Sequence, residues 1–118
     1  MNIKNALASL AVKDLRLSSH WYQNLLGKPA DSTPMDEVAE WQFQHGGWLQ
    51  LYQSTDRIGL GSVTLAVEDL EQLLVELEKL GICPGTRMDN DRVKLVMIKD
   101  PDGNSIALAQ TKNPGMAQ

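Results

Sequence analysis

The residues best suited to binding chemistry lie between positions 41 and 52, where aromatic side chains are concentrated. Of the six aromatic residues in the sequence (3 Trp, 2 Tyr and 1 Phe), four fall here: Trp41, Phe43, Trp48 and Tyr52. Gln50 stands among them. Aromatic rings stack on planar molecules and attract cations, and a glutamine amide both donates and accepts hydrogen bonds. A site for a small molecule is typical of this combination.

The residue types that usually carry catalysis are sparse. No Ser-His-Asp or Cys-His arrangement can be identified in the sequence. His20 falls in a helical pattern and His45 beside a predicted turn, so both are expected at the surface. Cys83 starts a predicted strand and is expected to be a small buried hydrophobe. We therefore predict no catalytic residue.

The elements that must position these residues are indicated by an internal repeat. The hexapeptide LAVKDL at 10–15 reappears as LAVEDL at 65–70. Each copy leads into a helical pattern that runs from an aspartate to a glycine, Asp14 to Gly27 and Asp69 to Gly81. Aspartate is a favoured N-cap and glycine the usual residue just past a helix end. A chance match of six residues is the alternative, and the matching end signals weigh against it.

Strand patterns follow each helix. Residues 41–44 and 48–52 flank Gly46-Gly47, the signal of a two-residue hairpin. Residues 93–98 and 104–110 flank Asp100-Pro101-Asp102-Gly103, a turn sequence. Weaker strands are expected in 28–36 and 82–89. The predicted order is β-α-β-β-β, twice.

This order defines an α+β fold of two tandem units. We place the first unit at about 6–53 and the second at about 61–110, joined by a polar connector over 53–61. Both units are expected to belong to a single domain that spans 1–118, because this length suits one hydrophobic core.

Alternation along the strands predicts one bulky and one small face in each sheet. Leu10 and Val12 oppose Ser9 and Ala11, and similar sets occur at 62–67 and 105–109. The bulky faces are expected under the helices, and the small faces are expected to curve around a hollow. Close approach of a second sheet or subunit is the alternative use of small residues.

The hairpin at 41–52 would place its aromatic residues in that hollow. A two-residue turn would pair Trp41 with Tyr52 and Phe43 with Gln50, which puts these four and Trp48 on one face. The alternative is that the aromatic residues fill a core. The predicted ligand-binding set is Trp41, Phe43, Trp48, Gln50, Tyr52, Ser9 and Ser62.

Composition and charge narrow the class of protein. The hydrophobic content of 42% is that of an ordinary globular chain, and the net charge of −4 gives no case for nucleic acid as a partner. The lone Cys83 excludes an intrachain disulfide and fits a reducing compartment. Residues 1–5 lack a signal peptide's apolar stretch, and no window reaches the about 20 apolar residues that cross a bilayer. We predict a cytoplasmic protein without a membrane partner.

Two motifs resemble those of a known group. The segments LAVKDL at 10–15 and WYQNLLG at 21–27 are similar to the V-x-D-x…F-Y-x-x-x-L-G signature of the vicinal oxygen chelate superfamily. That superfamily includes glyoxalases, bleomycin resistance proteins and extradiol dioxygenases. The segment DPDGN at 100–104 resembles its turn before the closing strand, and the resemblance extends over 6–110. It implies curved sheets around a shared pocket, commonly in homodimers.

The enzymes of this superfamily hold a divalent metal with His, Gln or Glu on the first, fourth, fifth and eighth strands. The corresponding positions here are Leu7, Gln50, Ser62 and Ala107. Leucine and alanine cannot coordinate a metal, and one glutamine and one serine are poor partners for Mg, Zn or Fe. The resemblance therefore implies the fold without its metal site, and we predict no metal and no cofactor.

These expectations favour one function and leave two alternatives open. The chain is closest in character to the metal-free bleomycin-resistance-type proteins, which predicts a homodimer that sequesters an aromatic or cationic drug-like molecule and confers antibiotic resistance. One alternative is a divergent glyoxalase-like metalloenzyme that uses other carboxylates, of which Asp36, Glu37 and Glu40 are nearest in sequence. The other is a structural or regulatory module whose pocket is filled.

Overall fold

Two four-stranded sheets, each with one helix, are formed by the residues that the structure describes. The computed structural model describes residues 1–112. The elements run in the order β1 (Leu7–Val12), α1 (Leu15–Leu26), β2 (Ser32–Met35), β3 (Val38–Gln42), β4 (Trp48–Gln53), β5 (Ser62–Ala66), α2 (Leu70–Lys79), β6 (Arg87–Asp89), β7 (Val93–Lys99) and β8 (Ser105–Thr111). The predicted α+β fold of two tandem βαβββ units is confirmed.

Both sheets have the same topology. The strand order is β1-β4-β3-β2 in the first sheet and β5-β8-β7-β6 in the second. In each sheet the first and last strands of the unit are parallel neighbours, and the other pairs are antiparallel. A parallel pair needs a long crossover connection, which the helix and the two strands after it provide.

Residue contacts divide the chain into two compact units with slightly different bounds from the predicted ones. Among the described residues, unit 1 comprises Met1–Gly61 together with Pro101–Asn104, and unit 2 comprises Ser62–Asp100 together with 105–112. Residues 101–104 of the turn between β7 and β8 thus belong to unit 1. The single domain over 1–118 stays a prediction, and its residues 113–118 lie outside the described residues.

The predicted helix ends are confirmed. Asp14 and Asp69 each accept a hydrogen bond of 3.1 Å from the backbone N–H three residues further on. The chain leaves α1 at Gly27 and α2 at Gly81 with φ of +80° and +73°, the left-handed backbone that glycine favours. Within residues 1–112, no helix has the length and apolar character that a membrane crossing requires.

A second cap at each helix start could not be predicted from local sequence. The first backbone N–H of α1, at Leu15, donates to the side-chain oxygen of Gln53 at 3.0 Å. The first N–H of α2, at Leu70, donates to Gln110 at 2.9 Å. Each glutamine lies at the end of the strand that runs parallel to the first strand of its unit. A long-range contact therefore satisfies an N–H that a helix leaves free.

Each unit has its own core between the helix and the bulky face of the sheet. The fully buried side chains include Leu10, Val12, Tyr22, Leu49 and Leu51 in unit 1, and Leu70, Leu77, Val96, Ile98, Ile106 and Leu108 in unit 2. The bulky faces predicted for the first and last strands are confirmed. Leu80, which directly follows α2, is 42% exposed.

The predicted two-residue turn between β3 and β4 is wrong. Phe43 donates its backbone N–H to Gly47 at 2.8 Å and accepts from Gly46 at 3.0 Å, so the loop has three residues, Gln44 to Gly46. Gly46 takes φ of +97°, as the last residue of such a loop does when a left-handed residue follows a type I turn. Trp41 pairs with Leu49 instead of Tyr52, a shift of three residues. An odd shift moves every side chain of β3 to the other face.

Candidate functional site

One face of the sheet in unit 1 gathers the polar and aromatic residues away from the core. Direct cross-strand pairing aligns Ser9 on β1, Gln50 on β4 and Glu40 on β3. Trp48 and Tyr52 lie on the same face of β4, two residues to either side of Gln50. We call this set the Gln50 face: Ser9, Glu40, Trp48, Gln50 and Tyr52. Ser9 is exposed and the other four are half-buried.

A chain of hydrogen bonds crosses the Gln50 face. The Ser9 hydroxyl donates to Gln50 Oε1 at 3.1 Å, and Gln50 Nε2 donates to Glu40 Oε2 at 2.9 Å. Both bonds follow from the strand register, because directly paired residues bring their side chains within about 5 Å of each other. The three side chains form one polar row across β1, β4 and β3.

The two aromatic side chains border this row. A strand advances about 3.3 Å per residue, so Trp48 and Tyr52 stand about 7 Å from Gln50 in opposite directions along β4. Leu7, which pairs with Trp48 and is 50% exposed, extends the apolar border. An amphipathic ring can cover a ligand and still keep its polar edge in water. The arrangement suits a molecule with an apolar ring and a polar group.

Trp41 does not belong to this face, and its predicted place there is wrong. It is fully buried on the helix side of the sheet, with its ring centroid 6.2 Å from that of Tyr22. Its indole N–H donates to the carbonyl of Lys28 at 3.0 Å. The three-residue loop turns Trp41 inward, where the burial of a large ring contributes to the core.

Phe43 is also displaced from its predicted position. It lies beyond the end of β3 and pairs with Gly47 at the base of the loop, so it does not stand beside Gln50. Its side chain is half-buried. The alternative that the aromatic residues serve a core thus holds for Trp41 and not for Trp48 or Tyr52.

Glu40 is the residue that sequence reasoning did not place in the site. The two-residue turn would have put it on the core face. The signal was present in Val38-Ala39-Glu40-Trp41, because alternation with Trp41 buried requires Glu40 to point the other way. The register of β3 against β4 determines the face on which Glu40 lies, and this register depends on the length of the loop that closes the hairpin.

Ser62 lies in unit 2, on the small-residue face predicted there. It begins β5 and pairs with Ser105 of β8. Ser62, Thr64 and Ala66 are exposed, whereas Ala107 and Ala109 of β8 are 7% and 8% exposed. The role of Ser62 in binding stays a prediction.

The remaining candidates for chemistry do not lie on the strands that form the Gln50 face. His20 and His45 are exposed, as predicted. Cys83 is exposed as well, which corrects the expectation of a buried thiol. The reason is that the strand begins only at Arg87, so Cys83 lies in the connection that precedes it.

The positions that the superfamily uses for metal ligands do not fit a metal in this chain. Leu7 and Ala107 have no donor atom. Gln50 Oε1 already accepts from Ser9, and its Nε2 faces Glu40, so the amide is engaged on both sides. Within residues 1–112, no three His, Cys, Asp or Glu side chains are grouped so that they could share a metal ion. Divalent metals in proteins need several oxygen, nitrogen or sulfur donors together.

Comparison with solved structures gives the fold a family. The protein described as a glyoxalase / bleomycin resistance protein from Catenulispora acidiphila is 31% identical, with a TM-score of 0.81 over 90% of this chain and 96% of that chain. TnmS3, described as an antibiotic binding protein from a Streptomyces species, is 21% identical, with a TM-score of 0.82 over 95% and 99% of the two chains.

An enzyme has the same fold. The structure described as oxidase ChaP-H2 is 16% identical, with a TM-score of 0.78 over 100% of both chains.

No protein-family model matches the sequence, and no curated protein does. The identity and the coverage shared with the Catenulispora protein decide the assignment. The chain belongs to the glyoxalase / bleomycin resistance protein family, within the vicinal oxygen chelate superfamily.

Proposed function

We propose that this protein is a metal-free binding protein that sequesters an aromatic or cationic drug-like molecule at the Gln50 face. The observation that carries the proposal is the placement of two half-buried aromatic side chains, Trp48 and Tyr52, on either side of a polar row. Small-molecule sites combine an apolar lining with a few placed polar groups.

The comparisons support binding as a use of this fold. TnmS3 is described as an antibiotic binding protein, and its TM-score of 0.82 indicates a close match in backbone. At 21% identity the likeness concerns the fold alone. The case for this chain therefore depends on its own residues.

The donor set favours binding without a metal. The chemistry shared by the superfamily's enzymes is polarisation of substrate oxygens by a divalent ion. Leu7 and Ala107 occupy two of the four ligand positions, and the Gln50 amide is engaged by Ser9 and Glu40, so these positions do not provide the donors that would hold the ion.

The test is a binding panel with a site variant. Bleomycin, 9-aminoacridine and acridine are titrated into the purified protein by calorimetry, together with a thermal-shift measurement. We expect at least one of them to bind and raise the Tm, and Trp48→Ala to weaken that binding about tenfold, since one stacked or cation–π contact contributes about 0.5–2 kcal/mol. Leu17→Ala, an exposed apolar position on α1, is the control.

Two results would overturn the proposal. One is the absence of binding for all three compounds. The other is stoichiometric metal in the purified protein together with turnover of the glutathione–methylglyoxal hemithioacetal, which would favour the divergent metalloenzyme. Glu40 would be a candidate ligand in that case, because it is a carboxylate on the Gln50 face.

The proposal includes a cytoplasmic homodimer. Each unit leaves strands at the edge of its sheet, such as β1 and β2 in unit 1. Exposed edges are usually covered or paired. Size-exclusion chromatography with light scattering should give twice the mass of 13.1 kDa; a monomer at micromolar concentration would contradict the dimer.

A further inference from the structure

The polar side chains of the Gln50 face are already bonded to one another, and this determines what they can offer a ligand. A carboxylate accepts hydrogen bonds and donates none, so Gln50 must turn Nε2 toward Glu40. That orientation leaves Oε1 to accept from the Ser9 hydroxyl. Gln50 thus holds its neighbours in place, and both ends of its amide are engaged.

The three side chains of this row can still accept hydrogen bonds from a ligand, but they have little left to donate. The Ser9 hydrogen is used in the bond to Gln50, so its oxygen has only lone pairs to offer. Within residues 1–112, Glu40 belongs to none of the ion pairs, and its carboxylate receives one hydrogen bond, from Gln50. Glu40 Oε1 is therefore left for a ligand. The second hydrogen of Gln50 Nε2 is the remaining donor of the three side chains.

The two aromatic side chains that border this row also favour a cation. The faces of Trp48 and Tyr52 rings carry negative potential and attract cations. The whole chain has a net charge of −4, which favours the approach of a cation over that of an anion. Carboxylate, lone pairs and aromatic faces all complement a positively charged donor.

We propose that Glu40 selects the charge of the ligand, so that the Gln50 face binds a planar cation that bears an N–H donor. An N–H of the cation donates to Glu40 Oε1, and the ring lies against Trp48 or Tyr52. Glu40 is the specificity-determining residue, and Ser9 and Gln50 position its carboxylate. This inference rests on the proposed function and adds the ligand's charge to it.

The test compares two probes of similar shape and different charge. At neutral pH 9-aminoacridine is a cation and acridine is neutral. By titration calorimetry we expect the protein to bind 9-aminoacridine about tenfold more tightly than acridine, the size of one hydrogen bond to a charged group. Glu40→Gln keeps an oxygen to accept from Gln50 and removes the charge. It should reduce the preference to about twofold or less, mainly by weakening the binding of 9-aminoacridine.

The control is Glu37→Gln, which removes the same charge from an exposed position in the turn before β3; it should keep the preference. If Glu40→Gln does not fold, the binding of both probes to the unmodified protein is measured at increasing NaCl concentration instead. Only 9-aminoacridine binding should weaken with added NaCl. Equal binding of both probes, unaffected by Glu40→Gln or by salt, overturns the inference and leaves the proposed function standing. Absence of binding for both acridines and bleomycin overturns the two together.

Discussion

Asn104 and Ala11 are joined by a buried hydrogen bond between positions far apart in the sequence. The Asn104 side-chain amide donates to the Ala11 carbonyl at 2.9 Å and accepts from the Gly61 N–H at 3.0 Å. Asn104 is 0% exposed, and a buried amide is stable only when its polar atoms are paired. The turn that resembles the superfamily's D-P-D-G-N sequence therefore has a structural role in unit 1.

Asn104→Ala should lower the free energy of unfolding by about 2–4 kcal/mol, because it leaves the buried Ala11 carbonyl and the half-buried Gly61 N–H without their partner. Urea denaturation measures the change. Asn24→Ala, at an exposed position of α1, is the matched control and should stay within about 0.5 kcal/mol of the unmodified protein. Equal effects of the two substitutions would contradict the role of Asn104.

The long-range caps give a second prediction. Gln53→Ala and Gln110→Ala should each cost about 0.5–1.5 kcal/mol, since each removes the acceptor of a helix's first N–H. Gln23→Ala, on the exposed side of α1, should cost less than about 0.5 kcal/mol. Thermal or urea unfolding separates the cases, and a cost no larger than that of Gln23→Ala would show that the caps contribute nothing.

The two tryptophans of the hairpin should differ in their effect on stability. Trp41→Ala should cost about 3–5 kcal/mol, because it empties a fully buried site and frees the Lys28 carbonyl. Trp48→Ala should cost about 1 kcal/mol or less, because its ring is half-buried. Comparable losses in urea denaturation would mean that the register of β3 against β4 is different from the one described.

Acid should weaken one contact between the α1–β2 connection and β3. The hydrogen bond from Lys28, followed by that from the Gln42 N–H, lowers the pKa of Asp31 below its usual value of 3.8. A lowered pKa means that the contribution to stability is present above the unfolded pKa and is lost as pH falls through the folded pKa.

The variant Asp31→Asn should therefore be less stable than the unmodified protein at neutral pH, and the difference should shrink as pH falls below 3.8. Urea midpoints at neutral and acidic pH measure it. Asp36→Asn, at an exposed position in the turn before β3, is the control and should show a smaller difference at neutral pH. A difference for Asp31→Asn that grows toward acid would contradict the assignment.

The helices could be predicted because their signals are local. Asp14 and Asp69 cap the N–H groups three residues on, and glycine supplies the positive φ at each end, so a short stretch of sequence contains the whole interaction. The repeat then extended the first unit's pattern to the second. The caps that Gln53 and Gln110 provide could not be predicted in this way, because their partners lie 38 and 40 residues away in the sequence.

The site was predictable only in part. Ser9, Trp48, Gln50 and Tyr52 share a face because alternation within one strand and the parallel pairing of β1 with β4 place them there. Trp41 lies on the core face and Glu40 on the Gln50 face, which is the reverse of the prediction, because the loop after β3 has three residues instead of two. Two adjacent glycines favour a two-residue turn locally, but burial of the Trp41 ring against Tyr22 favours the other register.

Ligand binding at the Gln50 face is tested most directly by nuclear magnetic resonance of the ¹⁵N-labelled protein during titration with 9-aminoacridine. The Trp48 indole N–H and the Gln50 side-chain amide should shift with a common Kd, while the Trp41 indole N–H, bonded to the Lys28 carbonyl, should not move. Saturation that leaves Trp48 and Gln50 unchanged, or shifts confined to other residues, would contradict the site proposed here.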